Sequence, residues 1–179
     1  VLFRSDFMNA QMNVLWADAP GIILPDTTYY EEGNEKGKEL LAIWRKMQEE
    51  LLTKFGFSAE ETKDILDKYL ELDAKLAKYV LSNEESSEYV KLYHPYDWAD
   101  FTKLAPELPL DAIFTEILGQ VPDKVIVPQE RFWKDFAAEC YSEKNWEHLH
   151  AALKLFSTGA WTSLLTEEIR VLSDRKSVV

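Results

Sequence analysis

Two successive amphipathic patterns in the first half of the chain predict a pair of long helices. Over residues 34–55, apolar side chains recur at steps of three and four residues while Lys and Glu fill other positions, the pattern of one buried helical face. A second pattern with the same period covers residues 65–80. Gly56 favours a left-handed end to the first helix, and Ser-Ala-Glu-Glu at residues 58–61 has the form of a capping box for the second. Because so short a connection leaves little choice of direction, we predict an antiparallel helical hairpin.

The rest of the chain predicts shorter elements. Residues 6–32 have no period and contain proline turn signals, which indicates a short helix or extended piece and then an ordered loop. Later short helices are predicted over residues 84–92, 96–104, 110–118, 129–141, 143–156 and 160–172. Gly119 closes the third, Ser142 is a candidate cap between the fourth and the fifth, and Ser-Thr-Gly at residues 157–159 separates the last two. The β-prone run at residues 124–127 is too short and isolated to predict a sheet, so the predicted fold class is all-α, without an internal domain boundary.

Composition and charge exclude several classes of protein. The 179 residues include 32 acidic and 20 basic side chains, a net charge of −12, and such a surface repels the phosphate backbone of nucleic acids. Hydrophobic residues make up 46 % of the chain, which excludes a mainly disordered protein. No run of about eighteen apolar residues is present, so no membrane span is predicted in this segment. The single cysteine, Cys140, cannot form an intramolecular disulfide and fits a reducing compartment.

The residue types that carry catalysis or bind metals do not form a recognisable site. The zinc motif H-E-x-x-H and the glycine-rich phosphate loops are absent from the sequence. His148 and His150 are separated by about 200° around a helix, so they cannot share a metal ion. Cys140 has Glu139 and Glu143 nearby, which raise the pKa of a thiol, so we interpret it as a small buried hydrophobe. Because adjacent acidic pairs diverge by about 100° on a helix, we predict no catalytic, cofactor-binding or metal-binding residue.

Aromatic residues make up 13 % of the chain, and their positions divide them into two groups. Those on predicted apolar helix faces are expected in the core: Trp44, Tyr69, Tyr79, Trp133, Phe136 and Phe156. Those in or near predicted loops are Trp16, Tyr29, Tyr30, Trp98 and Trp161. Large apolar side chains in loops often contact another surface. The second group therefore has two interpretations, packing within the chain or contact with sequence outside it.

The sequence at residues 21–30, Gly-Ile-Ile-Leu-Pro-Asp-Thr-Thr-Tyr-Tyr, resembles a signature run of the neprilysin and oligopeptidase O family of zinc metallopeptidases. In that family a G-L-x-L-P-D-x-x-Y-Y run follows a segment similar to residues 6–16. The resemblance continues in the family's order with Tyr93-His94-Pro95, with Ala105-Pro106 and Leu110, with Val125-Ile126-Val127, Gln129 and Phe132, and with Trp146 and Leu149. Residues 6–173 therefore look like part of the N-terminal domain of a neprilysin-like metallopeptidase.

This resemblance implies a function for a longer parent protein. Family members are two-lobed, mainly helical zinc metalloendopeptidases, whose C-terminal lobe carries H-E-x-x-H, a further glutamate ligand and the general base. Their N-terminal lobe caps the active site and restricts access to oligopeptides. Residues 6–173 match the interior of that larger helical lobe, which implies a non-catalytic segment, with zinc bound outside this chain, the missing catalytic lobe as partner and oligopeptides as substrates. The lone Cys140, in place of several disulfides, is more similar to the soluble bacterial branch, which implies a cytoplasmic location.

The two ends of the chain look foreign to such a protein. Residues 1–5 and 174–179 are what the ends of common short-read sequencing adapters encode when they are translated. We therefore expect only residues 6–173 to be natural sequence.

Two other functions compete with this one. The first is a free-standing α-helical interaction module without enzymatic activity, which predicts a surface without large apolar patches. The second is a small helical enzyme that uses His94 or His148. That function requires a pocket around the ring and a carboxylate within hydrogen-bonding distance of it.

Overall fold

The computed structural model of the chain describes residues 2–161 and residue 167, and the chain divides into two compact units. The first unit comprises Val1–Gly21 and Tyr79–Ser142, and the second comprises Ile22–Lys78 and Glu143–Val179. Each unit therefore combines two stretches that are distant in sequence. Because no linker or change in composition marks the junctions, the sequence predicted no internal boundary.

The structure is mainly helical with a small sheet. The strands are β1 (Leu2–Ser5), β2 (Asn13–Trp16), β3 (Pro95–Asp97) and β4 (Lys124–Ile126). The α-helices are α1 (Glu35–Lys54), α2 (Ala59–Leu76), α3 (Asn83–Ser87), α4 (Trp98–Phe101), α5 (Leu110–Leu118), α6 (Glu130–Asp135), α7 (Ala137–Cys140) and α8 (Trp146–Trp161). Short 3-10 helices lie at Thr27–Tyr30, Tyr89–Leu92, Thr102–Leu104 and Glu143–Asn145. Helices make up 60 % of the structure, which confirms the predicted helical class.

The long hairpin predicted for the first half of the chain is confirmed in the second unit. Asn34 begins α1, because its Oδ1 atom accepts a hydrogen bond from the Gly37 amide at 3.0 Å. Gly56, with a φ of +90°, follows the end of α1, and α8 packs against α2. The core of this unit contains Leu52, Ile65, Leu66, Ala151 and Leu155, with Trp44, Phe57 and Tyr69 packed against it.

The capping box predicted at the start of α2 is also confirmed. The Ser58 hydroxyl accepts from the Glu61 amide at 3.2 Å, and the Glu61 carboxylate accepts from the Ser58 amide at 2.9 Å. The bond from the Ser58 amide, reinforced by the Ser58 hydroxyl, holds the pKa of Glu61 below its usual range. Ser82 and Glu85 form the same box at the start of α3. The acidic pairs of both helices thus lie in the first turn, where the helix dipole favours negative charge.

The Ser58→Ala variant is expected to lower the free energy of unfolding by about 1 kcal/mol, because the Glu61 amide loses its acceptor. Chemical denaturation of the wild type and the variant measures the difference. Ser157→Ala, at an exposed position within α8, is the matched control and is expected to change stability by less than about 0.5 kcal/mol. Equal stability of Ser58→Ala and the wild type would show that the box does not stabilise the fold.

Helix α8 is longer than predicted. The sequence separates two helices at residues 157–159, but α8 continues through them, so the predicted break is wrong. Thr158 is buried, and its hydroxyl donates to the Leu155 carbonyl at 2.9 Å. An interior Gly159 costs a helix about 1 kcal/mol relative to alanine, which the packing of α8 against α2 offsets. Most of the helix predicted over residues 160–172 lies outside the described residues.

The four-stranded sheet of the first unit was not predicted. Its strand order is β1-β2-β4-β3, with β2 and β4 parallel and the two outer pairs antiparallel. Val125 of β4 lies opposite Leu15 of β2 on one side and Tyr96 of β3 on the other. The run at residues 124–127 therefore does form a strand, because partners distant in sequence pair with it. Val125, Ile126 and Val127 are fully buried, as expected for a central strand.

Two short helices differ from the prediction in the first unit. The helix predicted over residues 96–104 begins only at Trp98, because Pro95–Asp97 pairs with β4. The helix predicted over residues 129–141 is divided at Phe136, whose φ of −137° is not helical. Sequence periodicity therefore located these segments but not their ends.

The ends of the other short helices test the remaining boundary predictions. Gly119 closes α5 in the left-handed region, with a φ of +79°, as predicted. The helix predicted over residues 84–92 is present as α3 and the 3-10 helix that follows it. Ser142 was predicted as a cap between two helices, and its hydroxyl donates to the Glu139 carbonyl at 2.8 Å. It therefore closes α7 rather than beginning the helix that follows.

Aromatic side chains build the core of the first unit. The ring centroids of Phe101 and Trp133 lie 4.9 Å apart in an edge-to-face arrangement, and Tyr79 stacks on Phe136 with centroids 4.6 Å apart. The Trp133 indole donates to the Ala17 carbonyl at 2.9 Å. This bond attaches α6 to the residue that follows β2.

Candidate functional site

The signature run at residues 21–30 is fixed to α2 by one buried carboxylate. Asp73 accepts a hydrogen bond from the Ile23 amide at 2.8 Å through Oδ1 and another from the Tyr30 hydroxyl at 2.5 Å through Oδ2. The same hydroxyl accepts from the Leu24 amide at 3.1 Å. Only 2 % of Asp73 is exposed, and this burial raises its pKa to about 6, although both hydrogen bonds favour the charged form. Burial and the neighbouring Asp73 raise the pKa of Tyr30 as well.

The rest of the signature run folds against its own residues and the start of α1. Asp26 accepts from the Thr28 amide at 2.9 Å and from the Thr28 hydroxyl at 2.6 Å, which begins the 3-10 helix at Thr27–Tyr30. The Asn34 side chain, which also caps α1, donates to the Thr28 carbonyl at 3.0 Å. The polar groups of the run therefore anchor it between α1 and α2.

A second polar cluster lies beside the sheet of the first unit. Asp6 accepts from Lys124 Nζ at 2.8 Å and from the Tyr93 hydroxyl at 2.6 Å, and Lys124 also donates to that hydroxyl at 2.9 Å. The bond from Lys124, followed by those from Tyr93 and the Met8 amide, lowers the pKa of Asp6 to about 2. The Lys124 ammonium also lies 5.4 Å from the centroid of the Tyr93 ring. The cluster connects the turn after β1 to β4 and to the segment before β3.

The histidines contact different groups. His148 Nε2 lies 3.4 Å from Glu71 Oε2, whereas the exposed His150 ring stacks on an indole of the same helix with centroids 6.3 Å apart. His94 Nδ1 lies 3.2 Å from the Val127 carbonyl oxygen. The two helical histidines thus face different neighbours.

Zinc is the metal that the resemblance implies for the parent protein, and the described residues do not fit it. Within residues 2–161 and residue 167, no three His, Cys, Asp or Glu side chains form a group that could hold a metal ion. A protein zinc site uses three or four such ligands. That the whole chain has no catalytic, cofactor-binding or metal-binding residue stays a prediction.

Cys140 is buried in α7, as the sequence predicted. Desolvation, with a smaller contribution from Glu139, raises the pKa of its thiol to about 11. The side chain is therefore protonated at neutral pH and packs as a small hydrophobe.

We expect the Cys140 thiol to react with iodoacetamide at mildly alkaline pH about 100-fold more slowly in the folded chain than in the unfolded chain, because a pKa of about 11 in place of 9.0 leaves that much less thiolate. Mass spectrometry of the alkylated fraction over time measures both rates. The same chain in concentrated guanidinium chloride is the matched control. Comparable rates in the two states would contradict the burial of this thiol.

An apolar cleft of about 600 Å³ lies beside α5 in the first unit. Leu110 and Phe114 of α5 are buried, whereas Ile113 and Ile117 are exposed. The cleft is lined by Phe3, Leu15, Leu108, Pro109, Leu110, Ile113, Phe114, Ile117, Leu118, Trp133 and Tyr141. A substrate pocket normally adds several convergent polar groups to an apolar lining. This lining is therefore suited to apolar contact rather than to catalysis.

The loop aromatics divide between the two interpretations that the sequence left open. Trp16 and Trp98 are buried in the first unit, and Tyr29 and Tyr30 are half-buried in the second, so these four pack within the chain. Trp161, by contrast, is exposed at the end of α8. Among the aromatics predicted in the core, Trp133 and Phe136 are buried and Trp44, Tyr69 and Tyr79 are half-buried.

Exposed apolar side chains of the second unit concentrate on α8. Trp146, Leu153, Phe156 and Trp161, which we term the outer face of α8, are 56–61 % exposed. Phe156 was predicted in the core, and that prediction is wrong because Leu155 faces the core in its place. Of the helices in the described part of the chain, none is long and apolar enough to cross a membrane.

Comparison with models of known protein families decides the relationship that the signature run suggested. The N-terminal model of peptidase family M13 matches residues 1–176. The chain belongs to peptidase family M13. The resemblance to neprilysin-like peptidases is thereby confirmed for nearly the whole sequence.

Individual similar proteins agree with this assignment. A Streptococcus gordonii protein named as a zinc metalloproteinase is 62 % identical over 168 residues, which cover 94 % of this chain and 30 % of the relative. The neutral endopeptidase of Lactococcus lactis subsp. cremoris is 35 % identical over 168 residues, which cover 93 % of this chain and 26 % of the relative. The crystal structure of PEPO from Lactobacillus rhamnosis has the same fold, with a TM-score of 0.84 and 24 % identity over 98 % of this chain and 28 % of that one. The M13 chain described above thus spans less than a third of the length of these relatives.

Sequence reasoning missed the two buried carboxylates that organise the M13 signature segments. The sequence could have indicated that Asp73 is buried. It follows Tyr69 by four residues on the apolar face of α2, which places an acid at a core position. Asp6 had no comparable signal, since it lies in the aperiodic stretch before β2 and its partners come from distant segments.

Proposed function

We propose that this chain is a non-catalytic segment of the N-terminal lobe of a zinc metalloendopeptidase that cleaves oligopeptides, and that the lobe caps the active site and restricts substrate size. The observation that carries the proposal is the 62 % identity over 168 residues to an S. gordonii protein named as a zinc metalloproteinase. The matched region is 30 % of that relative. Most of such a parent protein is therefore left for a catalytic lobe, which is the proposed partner.

The proposal divides the chemistry between this chain and the rest of the parent protein. Zinc in the catalytic lobe would polarise a bound water for attack on the peptide carbonyl. The described residues form no zinc group, and their buried acids, Asp6 and Asp73, hold loops in place. We therefore assign shape and access control to this chain.

Size restriction would depend on rigid walls, and the α1–α2 hairpin has the dimensions for one. α1 has 20 residues, which at 1.5 Å per residue extend over about 30 Å. Such a wall would bound one side of a chamber that extended peptides enter and folded proteins do not. The net charge of −12 would favour basic or neutral peptides near this lobe.

The location of the parent protein and the natural extent of the segment belong to the same proposal. We propose a soluble bacterial enzyme of the cytoplasm, because the one thiol, Cys140, is buried and reduced. We also propose that residues 6–173 are the natural segment and that residues 1–5 and 174–179 are translated adapters, although the family model matches residues 1–176 and Leu2–Ser5 pairs with β2. Genomic sequence that continues through either junction would contradict the second point.

Exchange of the matched region tests the main proposal. Residues 6–173 of this chain would replace the matched 168 residues of the S. gordonii relative, and cleavage of a short fluorogenic peptide would be compared with cleavage of a folded protein. We expect the chimera to cleave the peptide in a zinc-dependent reaction and to leave the folded protein intact, and the isolated chain to cleave neither. Zinc-dependent cleavage by the isolated chain, or a folded chimera without activity, would contradict the proposal.

The two competing functions have less support. A free-standing interaction module predicts a surface without large apolar patches, and the outer face of α8 departs from that expectation. The histidine-based enzyme was expected to need a pocket around the ring and a carboxylate within hydrogen-bonding distance of it. His94 lines a cleft of about 290 Å³ but directs a ring nitrogen at the Val127 carbonyl, and the Glu71 carboxylate near His148 is solvent-exposed.

A further inference from the structure

Helix α8 carries large apolar side chains both on its buried side and on its exposed side. Ala151, Ala152 and Leu155 are buried on its inner side, whereas the outer face of α8 is exposed. At 3.6 residues per turn, outer-face positions 146, 153 and 161 fall within about 80° of one another, with the exposed His150 and Ser157 between them. Phe156 lies at the edge of this face, where its ring meets that of Tyr69 edge to face with centroids 6.0 Å apart. A surface helix normally carries polar residues on the side away from the core, and a helix that is apolar all round is typical of a buried position.

Charge is depleted along the same helix. The chain has 32 acidic residues among 179, yet none occurs from His148 to Trp161, where Lys154 is the one Lys or Arg. Depletion of charge together with exposed aromatic side chains is characteristic of the centre of a protein interface. The outer face of α8 therefore has the composition of a contact surface within an otherwise acidic protein.

We propose that the outer face of α8 docks against an apolar, charge-poor surface in the part of the parent M13 peptidase that lies outside residues 1–179. This inference rests on the proposed function, because it requires a longer parent protein. The relatives supply the length: the matched region is 30 % of the S. gordonii protein and 26 % of the L. lactis endopeptidase. More than twice the length of this chain is thus available to cover the face.

The size of the outer face favours a tethered partner over a second copy of the chain. Two Trp, one Phe and one Leu at slightly more than half exposure present on the order of 500 Å² of apolar surface. A stable complex between separate chains buries roughly 800 Å² on each partner. A smaller surface is sufficient when both sides belong to one polypeptide, because the covalent connection supplies a high effective concentration.

Hydroxyl-radical footprinting of the isolated chain and of the chimera described above tests the docking. We expect the oxidation rates of Trp146, Phe156 and Trp161 to fall about fivefold in the chimera, as their exposed area becomes buried. Met8 and Val90, exposed apolar residues of the first unit, are the internal controls and are expected to keep their rates.

Matched double variants separate docking from folding. Trp146→Gln/Leu153→Gln is expected to lower the melting temperature of the chimera and to leave that of the isolated chain unchanged, whereas Phe156 is kept because its ring packs on Tyr69 within the chain. Met8→Gln/Val90→Gln removes two exposed apolar side chains elsewhere and is expected to change neither. Equal effects of the two double variants on the chimera would overturn the proposal.

The outcomes distinguish this inference from the proposed function. An active chimera in which the outer face is oxidised as fast as in the isolated chain overturns the docking and leaves the proposed function standing. If the outer face is protected in a folded chimera that has no peptidase activity, the proposed function is overturned and the docking stands. If the isolated chain forms a dimer that Trp146→Gln/Leu153→Gln abolishes, and the chimera shows no protection, the partner is a second copy and the proposal is wrong. A chimera that does not fold counts against both.

Discussion

The Gly37→Ala variant is expected to be less stable than the wild type by about 3 kcal/mol. A Cβ atom on Gly37 would lie 1.9 Å from the carbonyl oxygen of Tyr29 and 2.9 Å from its carbonyl carbon. Both are backbone atoms in the 3-10 helix that Asp26 and Asn34 hold in place, so they cannot rotate away as the end of a side chain would. Alanine gains about 1 kcal/mol over glycine in helix propensity, which is too little to compensate.

Denaturation followed by circular dichroism measures this loss, and Gly21→Ala is its matched control. A Cβ atom on Gly21 meets no atom within 4 Å, and its φ is not in the left-handed region. The control is therefore expected to change stability by less than about 0.5 kcal/mol. If Gly37→Ala were as stable as the control, the close approach of α1 to the signature run would be refuted.

The Asp73→Asn variant is expected to remove a pH dependence of stability that the wild type has between about pH 4 and pH 7. Burial raises the pKa of Asp73 from 3.8 to about 6, so the folded chain binds this proton more tightly than the unfolded chain does. The stability from this proton is complete below pH 3.8 and is lost as the pH rises through about 6. At 1.36 kcal/mol for each tenfold change in proton affinity, the loss is about 3 kcal/mol.

Free energies of unfolding for the wild type and the variant, measured across this range, give the contribution of Asp73 as their difference. Asp6, whose pKa is lowered to about 2, contributes stability that is lost as the pH falls, but it does so in both proteins and cancels. Asp64→Asn is the matched control, because Asp64 is an exposed acid of α2 that pairs with Lys68 at 2.8 Å. The difference in the free energy of unfolding between the wild type and Asp73→Asn should vary more with pH than the difference between the wild type and Asp64→Asn. Equal pH dependence of the two differences would contradict the burial of an acidic proton at this position.

Gly37 and Asp73 act on the same segment from two helices. Gly37 lets α1 approach the backbone of the signature run, and Asp73 attaches the run to α2 through Ile23 and Tyr30. The residues by which the family is recognised therefore serve as a structural anchor in this chain. Their loss should therefore be measured first as a change in stability.

The elements that the sequence predicted correctly are those whose cause is local. The α1–α2 hairpin follows from a period of 3.6 residues and a short connection, and the capping box of Ser58 and Glu61 closes within four residues. The raised pKa of Cys140 was predicted from nearby acids, although desolvation is its larger cause. Family membership could also be predicted, because residues 21–30 match a short signature run of the family.

The sequence by itself determined the helical class, the hairpin and the family, since each depends on neighbours along the chain. The tertiary structure alone decided that β4 lies between β2 and β3, that α8 continues through Gly159, and that the core takes Leu155 and leaves Phe156 outside. It also decided that Asp73 is a buried anchor rather than a surface acid. The reason is physical. Hydrogen bonds and burial between distant segments depend on which segments the folded chain brings together, and the periodicity of the sequence does not contain that information.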